Sequence, residues 1–405
     1  MSLSFNDVEQ RILDEIDSRR EELVDLCAKF VEAPSHNPPG NTAQVARLVH
    51  EYLTAHGLTP EIVAVSPEAP NIVVEVAGGQ PGAHAVLNAH MDTMQMGDAA
   101  AWSVPPYELT RKDGRLYGLG MGNMKGGLAA MCMSMAVLGQ SRDQLRGKVS
   151  FTAVSDEVMF GDRGTEYLLQ ARPDLAGDCM ISAEGPGWMH FAVAEKGLLW
   201  IDVEANCEGG HSSRALRDRT AVARIAEFIR EIDALNDVYA TLPTELEGVS
   251  GGDDNLGLRL SANVGCLEAG PVRSLVAGRV TAAIDIRIPP GISIDALKLN
   301  IEELAGRFSG LAVRFPKEFG PSWAGLNEPL VHYVSDAAER IRGKAPLKVV
   351  RLPGSDARHW RDRGVPAVCY GPQPTLSAGV DDYAIEQDLI DCAKVYAIAA
   401  LSICK

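Results

Sequence analysis

The 405-residue sequence predicts an α/β protein: a mostly parallel sheet flanked by helices, interrupted by a smaller α+β insertion. Three observations carry that expectation. Short apolar or β-branched runs alternate with longer stretches of helical apolar spacing through the first half of the chain. Residues able to do chemistry follow directly on those runs, as they do at the C-terminal ends of parallel strands. The pattern then changes near Leu198 and returns to its first character near Glu318.

In chain order, residues 6–33 and 41–56 carry apolar positions at helical spacing, while 71–76 and 85–88 are compact runs suited to buried strands. Residues 125–138 form an apolar, Met-rich stretch that reads as a buried helix, followed by strand-like runs at 148–154 and 178–182. In the insertion, 198–207 and 279–288 read as strands, and 220–233 and 294–308 as helices. A helix over 383–404 closes the chain. The expected organisation is a catalytic domain from 1–197 and 318–405 and an inserted domain from 198–317.

Charge and composition exclude several classes. A net charge of −16 argues against a nucleic-acid or anionic-membrane partner, although a locally basic pocket remains compatible with an anionic substrate. No run approaches 18 uninterrupted apolar residues, and the first twenty residues lack an apolar signal core. The eight Cys are scattered without a C-x-x-C pair, which suits reduced thiols and a cytoplasmic location.

The chemistry concentrates in a few segments. His90-Met91-Asp92 ends a strand-like run, and Gly122-Asn123-Met124-Lys125-Gly126-Gly127 opens the Met-rich helix. Ser155-Asp156-Glu157-Val158 and Ala183-Glu184-Gly185-Pro186 follow two further strands. His and carboxylate side chains converging from separate strand ends are the material of a metal site. Taken alone, H-x-D equally suits a strand-end His satisfied by its neighbours. Met91, Met94, Met96, Met121 and Met124 crowd the same region, as lining for a flat apolar pocket or as core packing.

In order and spacing, these segments resemble the two-zinc family of acetylornithine deacetylase, succinyl-diaminopimelate desuccinylase and the glutamate carboxypeptidases. The resemblance implies a zinc-exopeptidase-like fold whose inserted domain is a lid that also forms the dimer contact. It implies His90 as a metal ligand oriented by Asp92, Glu184 as a ligand of the same ion, and Glu157 as general base. Three positions depart from the family pattern. Asn123 stands where a bridging Asp is expected, Val158 where a ligand Glu is expected, and Ala378 where a C-terminal His is expected. One site thus loses its ligands, while the other keeps His90, Glu184 and the neutral oxygen of Asn123. This donor set suits one Mn²⁺, Zn²⁺ or Co²⁺ per chain. A one-residue shift would instead make Asp156 the base and Glu157 a ligand, and His359 is a candidate replacement for the lost His.

Gly209-Gly210-His211-Ser212-Ser213 matches the lid motif whose His, in the family, reaches the partner subunit's active site and stabilises an oxyanion. Gly354-Ser355-Asp356-Ala357-Arg358 matches the family segment whose Arg meets a substrate carboxylate, which implies that role for Arg358, and Arg287, in Asp285-Ile286-Arg287, is a second candidate. Each also has an ordinary reading, as a loop His or as a cation paired on a solvated face.

The expected activity is therefore metal-dependent hydrolysis of a C–N bond in a small carboxylated substrate. It takes the form either of amide hydrolysis or of ammonia release from an activated aromatic amine. A non-catalytic binding subunit and a conventional two-metal deacetylase or carboxypeptidase are the alternatives. The expected assembly is a homodimer or larger homo-oligomer.

Overall fold

The computed structural model describes residues 4–187, 189–373 and 379–405; Ala378 lies outside them. The chain divides into two compact units, one of Met1–Val193, Trp323–Lys348 and Ser355–Lys405, the other of Ala194–Ser322 and Val349–Gly354. Relative to the 198–317 expected for the insertion, the second unit begins earlier, ends later and also takes in Val349–Gly354.

The first unit is built on a large, mostly parallel sheet flanked by helices. Arg146–Val154, Gln80–His90, Cys179–Ser182 and Ala367–Cys369 lie side by side in that order, and every pairing among them is parallel. Antiparallel strands flank them: Pro70–Ala77 pairs with Arg146–Val154 on one side, and Cys369 faces Ala192 on the other. Parallel central strands need both faces covered. Gln80–His90 accordingly runs from exposed residues at its start into six consecutive buried ones that end at His90.

The helix Gly126–Gln140 covers one face. Ala, Met, Leu and Val surround it on all sides, and every residue up to Gly139 is buried, as expected of a helix that is apolar all round. It packs against Glu386–Ile403, itself buried along most of its length. Gly127 permits a close approach to the sheet, since a β-carbon there would sit 2.8 Å from the Ala183 carbonyl oxygen. Met91, Met121 and Met124 are core residues here, and the thioether Sδ of Met124 accepts from the His90 amide at 3.2 Å.

Two sequence expectations need correction. Residues 6–33 form two helices, Asp7–Ser18 and Arg20–Glu32, because Arg19 leaves helical geometry at φ −100° and ψ 20°. The closing helix starts at Glu386, because Tyr383–Ile385 is a strand paired with Arg115–Tyr117.

The second unit is a five-stranded antiparallel sheet in which Arg279–Ile288 lies between Ser261–Glu268 and Gly197–Asn206. The alternation of Arg279–Ile288 is strict: Val280, Ala282, Ile284, Ile286 and Ile288 are buried in an apolar cluster with Ile225, Phe228 and Ile232 from helix Ala221–Asp233 and Leu297 and Ile301 from Ile294–Gly306. Among the described residues, no helix is long and apolar enough to cross a membrane.

Candidate metal centre

Parallel pairing brings the functional side chains together. His90 is the last residue of its strand and lies level with Val154, the last residue of its neighbour. Glu157 follows three residues later, and Glu184 follows Cys179–Ser182 on the other side. Ligand-capable atoms of His90, Glu157 and Glu184 all lie within 4.8 Å of one another. His90 Nε2 is 3.6 Å from a Glu157 carboxylate oxygen and 3.7 Å from a Glu184 oxygen.

The imidazole is oriented from behind. His90 Nδ1 lies 2.8 Å from the Asp92 main-chain carbonyl and 3.5 Å from its carboxylate. A carbonyl only accepts, so Nδ1 carries a proton and Nε2 is the nitrogen turned toward the two glutamates. The Asp92 carboxylate has a second task. It accepts from the amides of Glu157 and Val158 at 3.1 and 3.0 Å, and from Asn37 Nδ2 at 2.9 Å. One residue therefore fixes both the His and the loop that carries Glu157.

Asp156 points elsewhere: its carboxylate takes Arg163 Nε and Nη2 at 3.0 and 2.9 Å and Asn37 Nδ2 at 3.0 Å. This leaves Glu157, rather than Asp156, beside His90. Val158 contributes only its amide to the network.

Asn123 sits in the turn between Gly118 and the Met-rich helix, and its Oδ1 is buried without a hydrogen-bond partner. Asp382 shapes that turn, accepting from the amides of Gly120 and Gly122 at 2.9 and 3.2 Å, while its carbonyl accepts from Gly118. Gly120 adopts φ +85°, and a β-carbon there would meet Thr93 Cγ2 at 2.4 Å. Lys125 folds back instead of reaching solvent, and its buried Nζ donates to the Ala33 carbonyl at 2.8 Å.

The site holds more negative charge than it can stabilise alone. Burial raises the Glu157 carboxyl well above its usual range, and the Glu184 charge adds to that. Burial pushes Asp356 up to about 7, although the His90 charge opposes this. Burial alone would lower the His90 imidazole, but the Glu157 charge and the nearby Asp92 and Glu184 carboxylates outweigh it and leave the group well above its usual value. Such a cluster favours protons or a cation. The buried Nε2 of His90 has no hydrogen-bond partner, nor does the buried Asn123 Oδ1. A hard or borderline divalent ion fits this donor set.

The remaining candidates are placed as follows. Arg358 is half-buried on the short helix Ala357–Arg361, where its charge acts on both Asp356 and Asp362. His359 is buried but does not join the group around His90. In the second unit, His211 is exposed, with Nδ1 2.8 Å from Ser213 Oγ, and Arg287 forms a two-armed pair with Asp285 at 2.7 and 3.0 Å. The sequence reading assigned no role to Asn37, Asp356 or Asp382. The Gly-Ser-Asp-Ala-Arg and Asp-Asp segments were the only signals for the last two.

Comparisons with known proteins follow the same outline. A sequence profile described as peptidase family M20/M25/M40 matches residues 86–402. A protein of Staphylococcus aureus (strain MRSA252) named "Probable succinyl-diaminopimelate desuccinylase" is 25% identical over 398 residues, covering 91% of this chain and 94% of its own. Human carnosine dipeptidase 1 shares the fold at a TM-score of 0.79 and 15% identity, over 98% of this chain and 99% of its own. A Bacillus subtilis protein described as a dinuclear metal-binding peptidase from the M20 family does so at 0.65 and 14%, over 96% and 99%.

Proposed function

The chain belongs to the M20/M25/M40 peptidase family, and from that premise we propose that it hydrolyses a C–N bond in a small carboxylated, non-peptide substrate with one divalent transition metal per chain. The observation that carries this reading is the meeting of His90, Glu157 and Glu184; the buried, unpartnered oxygen of Asn123 is the further donor we assign to it. His90, Glu184 and Asn123 would hold Mn²⁺, Zn²⁺ or Co²⁺. Such an ion supplies Lewis acidity to water and to the group under attack.

The chain's own residues do the rest. Glu157, whose raised affinity for protons suits a base working near neutrality, takes a proton from the attacking water and returns it to the leaving nitrogen. Asp92 keeps His90 in the tautomer that presents Nε2 and holds the Glu157 loop in place. Arg358 and Arg287 are assigned to the substrate carboxylate, and His211 to the developing oxyanion from a partner subunit in a homodimer. Val158 removes one carboxylate from the family's ligand set, which supports one ion rather than two. The leaving group is then an amide nitrogen or the amine of an electron-poor aromatic ring.

Elemental analysis and melting temperature with added Mn²⁺, Zn²⁺ and Co²⁺ test this reading. About one ion per chain, with a thermal shift that His90→Ala abolishes, is the expected result. Two ions per chain would return the conventional deacetylase or carboxypeptidase reading. Failure to bind any ion would leave a non-catalytic binding protein. Turnover is then sought among N-acyl amino acids and aminobenzoates.

A further inference from the structure

We infer that the substrate of the proposed metal centre carries an aromatic ring, and that Met94, Met96 and Met159, with Trp102 and Val380, form the uncharged lip that holds it. The inference rests on that centre and names the group presented to it. Of the methionines that crowd this part of the sequence, Met91, Met121 and Met124 go to the core, but Met94 is 42% exposed and Met96 half-buried. Met159 joins them from another loop at 41% exposed, although most methionines of the chain are buried. An exposed Met contributes little to folding, and apolar side chains grouped at a surface mark a place that another molecule covers.

Each of these residues lies on a loop tied to the centre, and all belong to the first unit. Met94 is four residues after His90 and directly follows Thr93, whose amide donates to Ser35 and whose carbonyl accepts from Asn37. Met159 is two residues after Glu157, and the Asp92 carboxylate holds the amides of Glu157 and Val158 just before it. Trp102 turns the first loop back on itself, its Nε1 donating to the Met96 carbonyl at 2.8 Å. Ser103 then donates to Asp381 through its amide at 2.8 Å and its hydroxyl at 2.6 Å, which brings Val380, itself 39% exposed, to that loop. Asp382, the next residue, supports the Asn123 turn.

The chemistry of the lip selects its ligand. Residues 94–104, 158–161 and 379–382 contain no Lys or Arg. Their acids are committed to the chain itself: Asp98 accepts the Ala100 amide at 2.9 Å, Asp381 holds Ser103, and Asp382 holds the turn. An ionic group finds no partner here, so the substrate carboxylate is directed elsewhere. Thioethers attract ring edges, and their unbranched chains settle against a flat group. The indole of Trp102, with its N–H already bonded, adds an aromatic surface. An aliphatic group would gain burial alone.

The test reads the methionines directly. Isotopically labelled methionine methyl groups are followed by NMR as benzamide or acetamide is added, with signals assigned from Met94→Leu, Met96→Leu and Met159→Leu. Benzamide should shift these three signals and leave those of the core in place, and acetamide should shift none. The double variant Met94→Gln, Met159→Gln changes only surface side chains, so its melting temperature should stay within about 2 °C. It should weaken benzamide binding about tenfold. In the Mn²⁺-loaded protein, it should raise KM for N-benzoylglycine by a similar factor and leave KM for N-acetylglycine unchanged. His90→Ala should keep the benzamide shifts, so failure of the metal centre is read from ion content and failure of the lip from the spectra. Unmoved Met94 and Met159 signals, equal shifts with acetamide, or loss of the shifts in His90→Ala would overturn the inference. A change of sedimentation state in the double variant would overturn it as well, by assigning the patch to a contact between subunits.

Discussion

Glu157 and Asn123 are both assigned to the proposed metal site, in different roles. Glu157 is a buried carboxylate facing another, Glu184, with a raised proton affinity. Replacing it with Gln should lower kcat by roughly 10²–10⁴ while changing metal affinity far less, measured by turnover beside metal titration. The metal-free variant should also melt higher, because a repulsive buried charge is gone. Asn123→Asp acts in the opposite direction. With residue 123 in the proposed ligand set, a further carboxylate should lower the melting temperature of the metal-free protein and tighten divalent-ion binding by about tenfold or more. Calorimetric titration with Mn²⁺ measures both consequences, and unchanged affinity would remove Asn123 from the ligand set.

Among the elements, the turn from Gly118 to Asn123 matters most, because its own hydrogen bonds, from Met121 to Gly118 and from Lys125 to Gly120, are completed from outside. Its shape depends on Asp382, more than 250 positions away, which receives the Gly120 and Gly122 amides. Asp382→Asn should weaken metal binding without unfolding the protein, since the amide oxygen still accepts while the charge is lost. Gly120→Ala is the harsher change, combining positive φ with the 2.4 Å approach to Thr93. It should cost about 2 kcal/mol of stability, read from denaturant midpoints. The Met-rich helix behind the turn was legible because an uninterrupted apolar stretch can only be buried. Asp382 was not, because a hydrogen bond from a carboxylate to a distant turn leaves no periodic signal.

Across the whole first unit, Glu9 ties the two ends of the chain together. Its carboxylate takes Arg340 at 2.6 Å and Lys405 at 2.8 Å, joining the first helix to Pro329–Arg342 and to the C-terminus. Burial alone would raise its pKa, but these partners and the Asn6 amide bring it down to about 2 from 4.5. A carboxylate lowered on folding stabilises the native state fully above its unfolded pKa, and that contribution is lost as pH falls through the folded one. Stability from this cluster should therefore be complete above about pH 5 and disappear between pH 4.5 and 2. Glu9→Gln should remove on the order of 2 kcal/mol at pH 7 and flatten that part of the acid transition, followed by denaturant melts across the pH range.

What the sequence by itself determined was the α/β layout and the convergence of His90, Glu157 and Glu184. Apolar runs fix buried strands, and parallel strands must present their C-terminal ends on one edge, so residues just after those runs meet. The tertiary structure alone decided how these residues are held: the Asp92 carboxylate on the Glu157 loop, Asp156 turned to Arg163, Asp382 beneath the Asn123 turn, and Asp356 close enough to feel the site's charge. Local pattern reports which side of an element is buried. It carries no record of which distant polar group completes a hydrogen bond, because that depends on the packing of whole elements.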